Sequence, residues 1–279
     1  MSATRSRSRG LTLSLALVVI TTTVILAARG WSFYWMSIQD RPEHPDFRTL
    51  RPSGMLGNGY GWIAALLIVL NLSYLVRRRL GGTRFGSMAV WLDVHVFTGL
   101  MIASLVSFHS AFQLRTPIAT TSTISLAMVV LTGVLGRLLH FLAPSNTQQR
   151  LTAAIDAFEA EFPGMREDLV AAMAKRPGPR VAANANLFTA IAAIPSWRSA
   201  AKSRRIALSM MMPHNMTPAL RRAEKDLYRT SAADARAQGV SALLRTWRGL
   251  HRFFALLMII AVMLHALVAW HYGYRWIFA

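Results

Sequence analysis

The chain has 279 residues, 53% of them hydrophobic and only 15% charged, and its several apolar runs are long enough to cross a bilayer, so it belongs to the membrane class and a soluble reading would need many fully buried helices. With no cysteine it can form no disulfide, bind no Cys-ligated iron-sulfur cluster and attach no haem through C-x-x-C-H. The formal net charge of +19 does not indicate nucleic acid, because the cations sit beside the apolar runs, where Lys and Arg mark the cytoplasmic face.

Met1 to Gly10 is polar and carries Arg5, Arg7 and Arg9; Leu11 to Ala28 is apolar. A basic start before an apolar core also describes a signal peptide, and Ala27-Ala28 resembles a cleavage region, but the run is long for one. The expectation is a retained first helix. Trp31, Phe33, Tyr34 and Trp35 follow as an interfacial aromatic cluster, then a proline-containing polar loop in which His44 is expected to be solvated.

Tyr60 to Val76 is the second apolar segment, closed by Arg77, Arg78 and Arg79 with Arg84 just beyond, so this connection is assigned to the inside. Trp91 to Phe112 then runs outward with His95 in its inner half and His109 in its outer half. Asp93, near the membrane edge, is expected to pair with a neighbouring arginine rather than to carry protons. Gln113 to Pro117 is a short exterior loop with Arg115. Thr120 to Leu142 returns inward; Gly133 and Gly136 permit close helix packing, and His140 is expected to be a polar interfacial residue, with a substitute-ligand role as the other reading.

Asn146 to Trp247 is the one long polar stretch. Helical spacing appears at Thr152 to Phe162, breaks at Pro163-Gly164 and resumes at Arg166 to Ala174. KRPGPR and an irregular middle follow. Met216 to Arg248 reads as a basic amphipathic helix or two, with Gly239 as an interruption. No phosphate loop, dinucleotide fingerprint or flavin motif occurs there, so the stretch is expected to be a membrane-apposed cap or docking surface. Attraction to anionic lipid heads accounts for its charge equally well.

Gly249 to Trp270 is the fifth helix, with His251 and His265, followed by His271, Tyr272, Tyr274 and Trp276 as a second aromatic belt. Six cations, Arg29, Arg41, Arg48, Arg51, Arg115 and Arg275, then fall outside and 25 of the 31 inside. The expected fold is an all-α integral membrane bundle of about five transmembrane helices with a helical cytoplasmic insertion between helices 4 and 5. Residues 1–143 form helices 1 to 4, 144–247 the cytoplasmic loop, and 248–279 helix 5 with an exterior tail. The N-terminus is cytoplasmic and the C-terminus exterior.

His95 and His109 are fourteen positions apart, and so are His251 and His265. Fourteen steps of an α-helix return to within about 40° of the starting azimuth and climb roughly 21 Å. Each helix therefore offers two imidazoles on one face, one in each half of a hydrocarbon layer about 30 Å thick. The third and fifth helices are separated by one return helix and run parallel, which matches His95 with His251 and His109 with His265. That pattern suits two haems stacked across the membrane, with the four histidines as axial iron ligands. Hydrogen bonding between helices is the plainer role of such histidines, but ionisable side chains at matched depths are costly there without a function. Gly99, Ala103, Ala255 and Ala261 lie near the ligands and leave room for porphyrin faces or for ordinary helix packing. Arg84, Arg248 and Arg252 are candidates for inner propionates and Arg115 for outer ones.

The two H-x13-H helices with one helix between them resemble the dihaem membrane cytochrome b superfamily, which includes the ferric-reductase-like membrane domain and the cytochrome b subunits of quinol-oxidising complexes. The runs HVFTGLMIASLVSFHSAF, GVLGRLLH and LHRFFALLMIIAVMLHALVAWHYGYRWIF are similar to small bacterial membrane cytochromes, over about a third of the chain. The resemblance implies two b-type haems on His95, His251, His109 and His265, a bacterial-type inner membrane location, and electron transfer between the two faces as a subunit of an oxidoreductase complex. Ferric reductases and NADPH oxidases carry a flavin and NADPH extension, whereas here only a short tail follows the fifth helix, so direct use of NADPH is not expected. The expected partners are membrane lipids, a soluble flavin or iron-sulfur protein on the cytoplasmic side, a quinone or cytochrome on the outer side, and no nucleic acid. The competing reading is a non-haem transporter or scaffold that uses the same histidines for metal or protons. Zinc prefers ligands clustered at one depth, whereas these histidines occupy two. An intramembrane protease is disfavoured because H-E-x-x-H is absent.

Overall fold

The computed structural model describes residues 2–80, 86–142, 146–174 and 217–272, with isolated positions between 199 and 210. Arg84, KRPGPR, Tyr274 and Trp276 lie outside the described residues. Among those described the chain is helical and contains no strand. Five helical stretches are long and apolar enough to cross a membrane, at Gly10–Arg29, Phe47–Leu80, Met88–His109, Pro117–His140 and Leu243–His271. Their outward faces carry exposed Leu13, Leu17, Ile63, Leu66, Leu131 and Leu267, side chains that a lipid phase would cover. The chain is a multi-pass membrane protein.

The elements are α1 (Ser2–Arg29), α2 (Trp31–Trp35), a 3-10 turn (Arg41–Glu43), α3 (Phe47–Leu50), α4 (Met55–Asn71), α5 (Ser73–Leu80), α6 (Met88–His109), α7 (Pro117–Leu142), α8 (Thr147–Glu161), α9 (Arg166–Ala174) and α10 (Pro218–His271). Helix α6 begins and ends three residues earlier than expected. Ser87 Oγ accepts from Val90 N at 3.4 Å and opens it. It closes where Ala111 (φ 48°) and Phe112 (φ 58°) turn left-handed, with Phe112 N donating to Ser107 O at 3.1 Å. Gly239 interrupts nothing: α10 is one helix of 54 residues with its proline in the first turn, where the missing N–H is no loss.

The chain divides into two compact units, Met1–Val134 with Phe253–Ala279, and Leu135–Arg252. In the first unit, Thr12 Oγ1 donates to Asp93 Oδ2 at 3.2 Å and Thr23 Oγ1 meets Ser104 Oγ at 2.8 Å. Both pairs are 81 residues apart, so α1 and α6 run parallel in one register. Gly57 meets His109 and Asn71 meets His95, so α4 runs antiparallel to α6. The core between these helices holds Tyr60, Ala64, Ile102, Leu105 and Phe108, joined by Leu126 of α7 and Met258 of α10. Helices α1 and α4 pack closely on α6, and α10 contributes Met258, Ile259 and Val262 to the same core.

Beyond the His109 end of α6, Phe33, Leu50 and Ala111 form a small second core under α2 and α3. Trp31 and Trp35 stack outside it, ring centroids 5.1 Å apart, as an exposed pair of the kind found at membrane interfaces.

In the second unit, α8 and α9 form a helical hairpin that turns at Gly164 (φ 91°), a left-handed position that suits glycine. Ile155, Phe158 and Leu169 pack with Leu220 and Leu227 of α10. The expected break at Pro163-Gly164 is therefore a turn that folds two short amphipathic helices onto a third.

Candidate functional site

The best-defined part of the site surrounds His109, the last residue of α6. Its Nδ1 lies 2.8 Å from Gly57 O, and since a carbonyl only accepts, Nδ1 carries the proton and Nε2 keeps its lone pair. A main-chain carbonyl on one imidazole nitrogen is the arrangement that orients histidine for a metal on the other. Gly61, one turn further along α4, makes room for the ring: a Cβ there would stand 2.7 Å from Nδ1.

The His265 ring lies 6.2 Å from that of His109, centroid to centroid, with the planes at 82°. A metal between two imidazoles needs about 2 Å to each nitrogen, and each nitrogen lies about 1 Å from its ring centre, which gives roughly 6 Å between centroids. The observed spacing matches that value, and it also lies within the range of ordinary edge-on ring contacts. At Gly99, just over one turn beyond His95, a Cβ would meet nothing within 4 Å. The donor chemistry and the ring spacing fit a haem held by His109 and His265.

His95 lies in the same unit at the other end of α6. Its ring packs on Tyr74 at 4.7 Å and it hydrogen-bonds the main chain at Asn71. Gly57 and Asn71 are themselves fourteen residues apart, so α4 meets both histidines of α6 with main-chain acceptors at matched intervals. His251 belongs to the second unit, where its ring stacks on Trp247 at 5.6 Å and 27°. Trp247 in turn meets His140 edge-on at 5.8 Å and fills the space where a Cβ on Gly136 would lie, 1.9 Å from the indole. His140 Nδ1 is tied to Gly136 O at 2.9 Å.

The remaining expectations fall out as follows. His44 is a half-buried structural residue rather than a solvated one: Ser32 Oγ lies 3.0 Å from Nε2, Asp46 N donates to Nδ1 at 3.1 Å, and Phe33 packs on the ring. The loop needs a side chain that can both donate and accept there. His271 is exposed beside Tyr272. Asp93 is buried and accepts from Thr12. Arg248 Nε donates to Leu244 O at 3.1 Å, Arg252 is exposed, and Arg115 Nε donates to Gln113 Oε1. Among the described residues no three His, Cys, Asp or Glu side chains gather into a metal cage.

Four contributors escaped the sequence reading. Gly57 and Gly61 sit in GNGYG, whose glycine density signals close approach without saying to what. Trp247 entered only as the end of the long polar stretch. Arg41 looked like a loop cation, yet it is only 6% exposed. Its guanidinium donates from Nε to Met36 O at 3.1 Å and, at 2.7 Å each, to Ala111 O and Tyr34 O, and it covers the Phe33 ring at 5.2 Å. Burial, then neighbouring Arg115, pushes its pKa below the ordinary guanidinium value, against the pull of Tyr34. Burial also pushes the Tyr34 phenol well above the usual tyrosine range, with Tyr60 adding and Arg41 and Arg29 opposing.

Comparison with known proteins found no matching family model, curated protein or solved structure.

Proposed function

We propose that the chain is a membrane dihaem b-type cytochrome that carries electrons between the two faces of the membrane, as a subunit of an oxidoreductase complex. The observation that carries this reading is the pair His109 and His265, 6.2 Å apart with His109 locked by Gly57 in the tautomer that leaves Nε2 free. Haem, when bound, supplies reversible one-electron chemistry. The chain supplies the rest: His109 and His265 hold the outer position, α4 fixes the ring of His109, and α1, α4 and α6 exclude water with an apolar core. Two histidine ligands would leave iron no open position, which makes the chain a conduit rather than an oxygen-binding site.

For the inner position the proposal rests on sequence register. His265 follows His109 by 156 residues and His251 follows His95 by the same 156. Ile102 and Met258, midway between, share that offset and belong to one core cluster. The superfamily resemblance supports the same assignment, as well as a bacterial-type inner membrane, a flavin or iron-sulfur partner at the basic cytoplasmic surface and a quinone or cytochrome outside.

A dithionite-reduced minus oxidised spectrum of haem-replete membranes tests the reading. The expected result is b-type bands and two haems per chain; H109A and H265A each remove the same haem, and H95A and H251A each remove the other. Absence of bands, or loss in any other pairing, overturns it. The first of those results would favour a non-haem transporter or scaffold.

A further inference from the structure

We infer that Arg41 is a fixed, buried positive charge that raises the reduction potential of the group held by His109 and His265. The inference deepens the haem reading above and rests on it. Arg41 is tied to Ala111 O, two residues beyond His109, so its charge is anchored at the end of α6 that carries that ligand.

The guanidinium keeps its charge. Every contact described for it is a main-chain carbonyl or an aromatic face, and no carboxylate among the described residues touches it. Of the acids nearest in sequence, Asp40 accepts from Ser37 Oγ at 2.6 Å, Asp46 pairs with Arg29 at 3.3 Å, and Glu43 makes no described ion pair with Arg41. Carbonyl dipoles satisfy the N–H groups without cancelling the net charge, and arginine does not release its proton in a protein. In surroundings of low effective dielectric a unit charge acts over many ångströms, so an electron arriving near it is stabilised. The other described cations at this end, Arg29, Arg48, Arg51 and Arg115, are exposed and are screened by solvent and salt.

The position of the charge is held from both sides. Ala111 and Phe112 adopt left-handed backbone conformations, unfavourable for residues with a Cβ, and Arg41 accepts the cost of that turn by capping its carbonyl. The Phe33 ring, 5.2 Å from the guanidinium carbon, covers it from another side.

The test is a potentiometric titration of the full-length chain in membranes, wild type against R41Q, R41K and R115Q, with the His109/His265 haem identified as the one missing from H109A. The expected result is a downward shift of that haem's midpoint in R41Q, with the other haem unmoved, a near-normal midpoint in R41K, and little change in R115Q. If R41Q does not accumulate or does not hold this haem, R41K decides alone. A charge effect leaves its midpoint near wild type, whereas a purely structural staple moves it, because an ammonium cannot fork to three carbonyls. Two bound haems with an unshifted midpoint in R41Q sink the inference and leave the cytochrome reading standing. Absence of haem from the wild-type chain sinks both.

Discussion

Gly61 has no room for a side chain, because the ring of His109 occupies the place a Cβ would take, with Nδ1 2.7 Å and Cε1 2.8 Å away. The ring has little freedom to retreat, since its Nδ1 is held by Gly57 O on the same helix. Under the proposed cytochrome function, G61A lowers haem content from two per chain toward one, with the same haem lost as in H109A; a haem assay on purified protein checks it. Tyr34 makes the opposite case. Its hydroxyl is buried and has no hydrogen-bond partner among the described residues, so Y34F should be neutral or stabilising by about 1 kcal/mol. Because burial raises the phenol's pKa in the folded chain, the unfolded chain ionises first as pH rises above about 10, and stability falls from there upward. Thermal melts against pH should show that alkaline loss in the wild type and a smaller one in Y34F.

At the scale of elements, α6 acts as the ruler of the first unit. Its partners on α1 are matched at an offset of 81, and its partners on α4 fall at Gly57 and Asn71, fourteen apart like the histidines they meet. A helix held at two levels by its neighbours keeps its two imidazoles on one azimuth without relying on the ligand. In the second unit, α7 and α10 meet at Gly136, Trp247 and His140, and Trp247 supports the His251 ring. G136A would drive a methyl into the indole, since the Cβ would lie 1.9 Å from it. The expected outcome is faster hydrogen exchange in α7 around Gly136 and in α10 around Trp247, with α1, α4 and α6 unchanged; exchange rates of the variant against wild type decide it.

At the scale of the whole molecule, the two units have separate cores. The second depends on Phe158 and Leu169, both almost fully buried, packed with Leu227 of α10. F158A should destabilise this unit by about 3–5 kcal/mol. Hydrogen exchange should accordingly accelerate across α8 and α9 while α1, α4 and α6 remain protected; equal acceleration in both units would show that they unfold together. The ion pairs of this unit that are described, Arg166 with Asp156 and Arg229 with Asp226, are half or more exposed and add little to it.

The amino-acid sequence by itself determined the helical membrane class, the number of spans and the four histidines on two helices. Those properties follow from hydropathy over windows of about 20 residues and from the 100° helical step, both local along the chain. Segment ends were less legible, because Ser87 capping and the left-handed Ala111-Phe112 turn are decided by contacts and backbone angles rather than by apolarity. Only the tertiary structure could decide which carbonyl fixes the tautomer of His109, why Gly61 is a glycine, that His44 is built into its loop, and that Arg41 is buried. Each depends on residues separated along the chain, Gly57 from His109 by 52 positions and Arg41 from Ala111 by 70, and no short-range pattern encodes which distant atoms will meet.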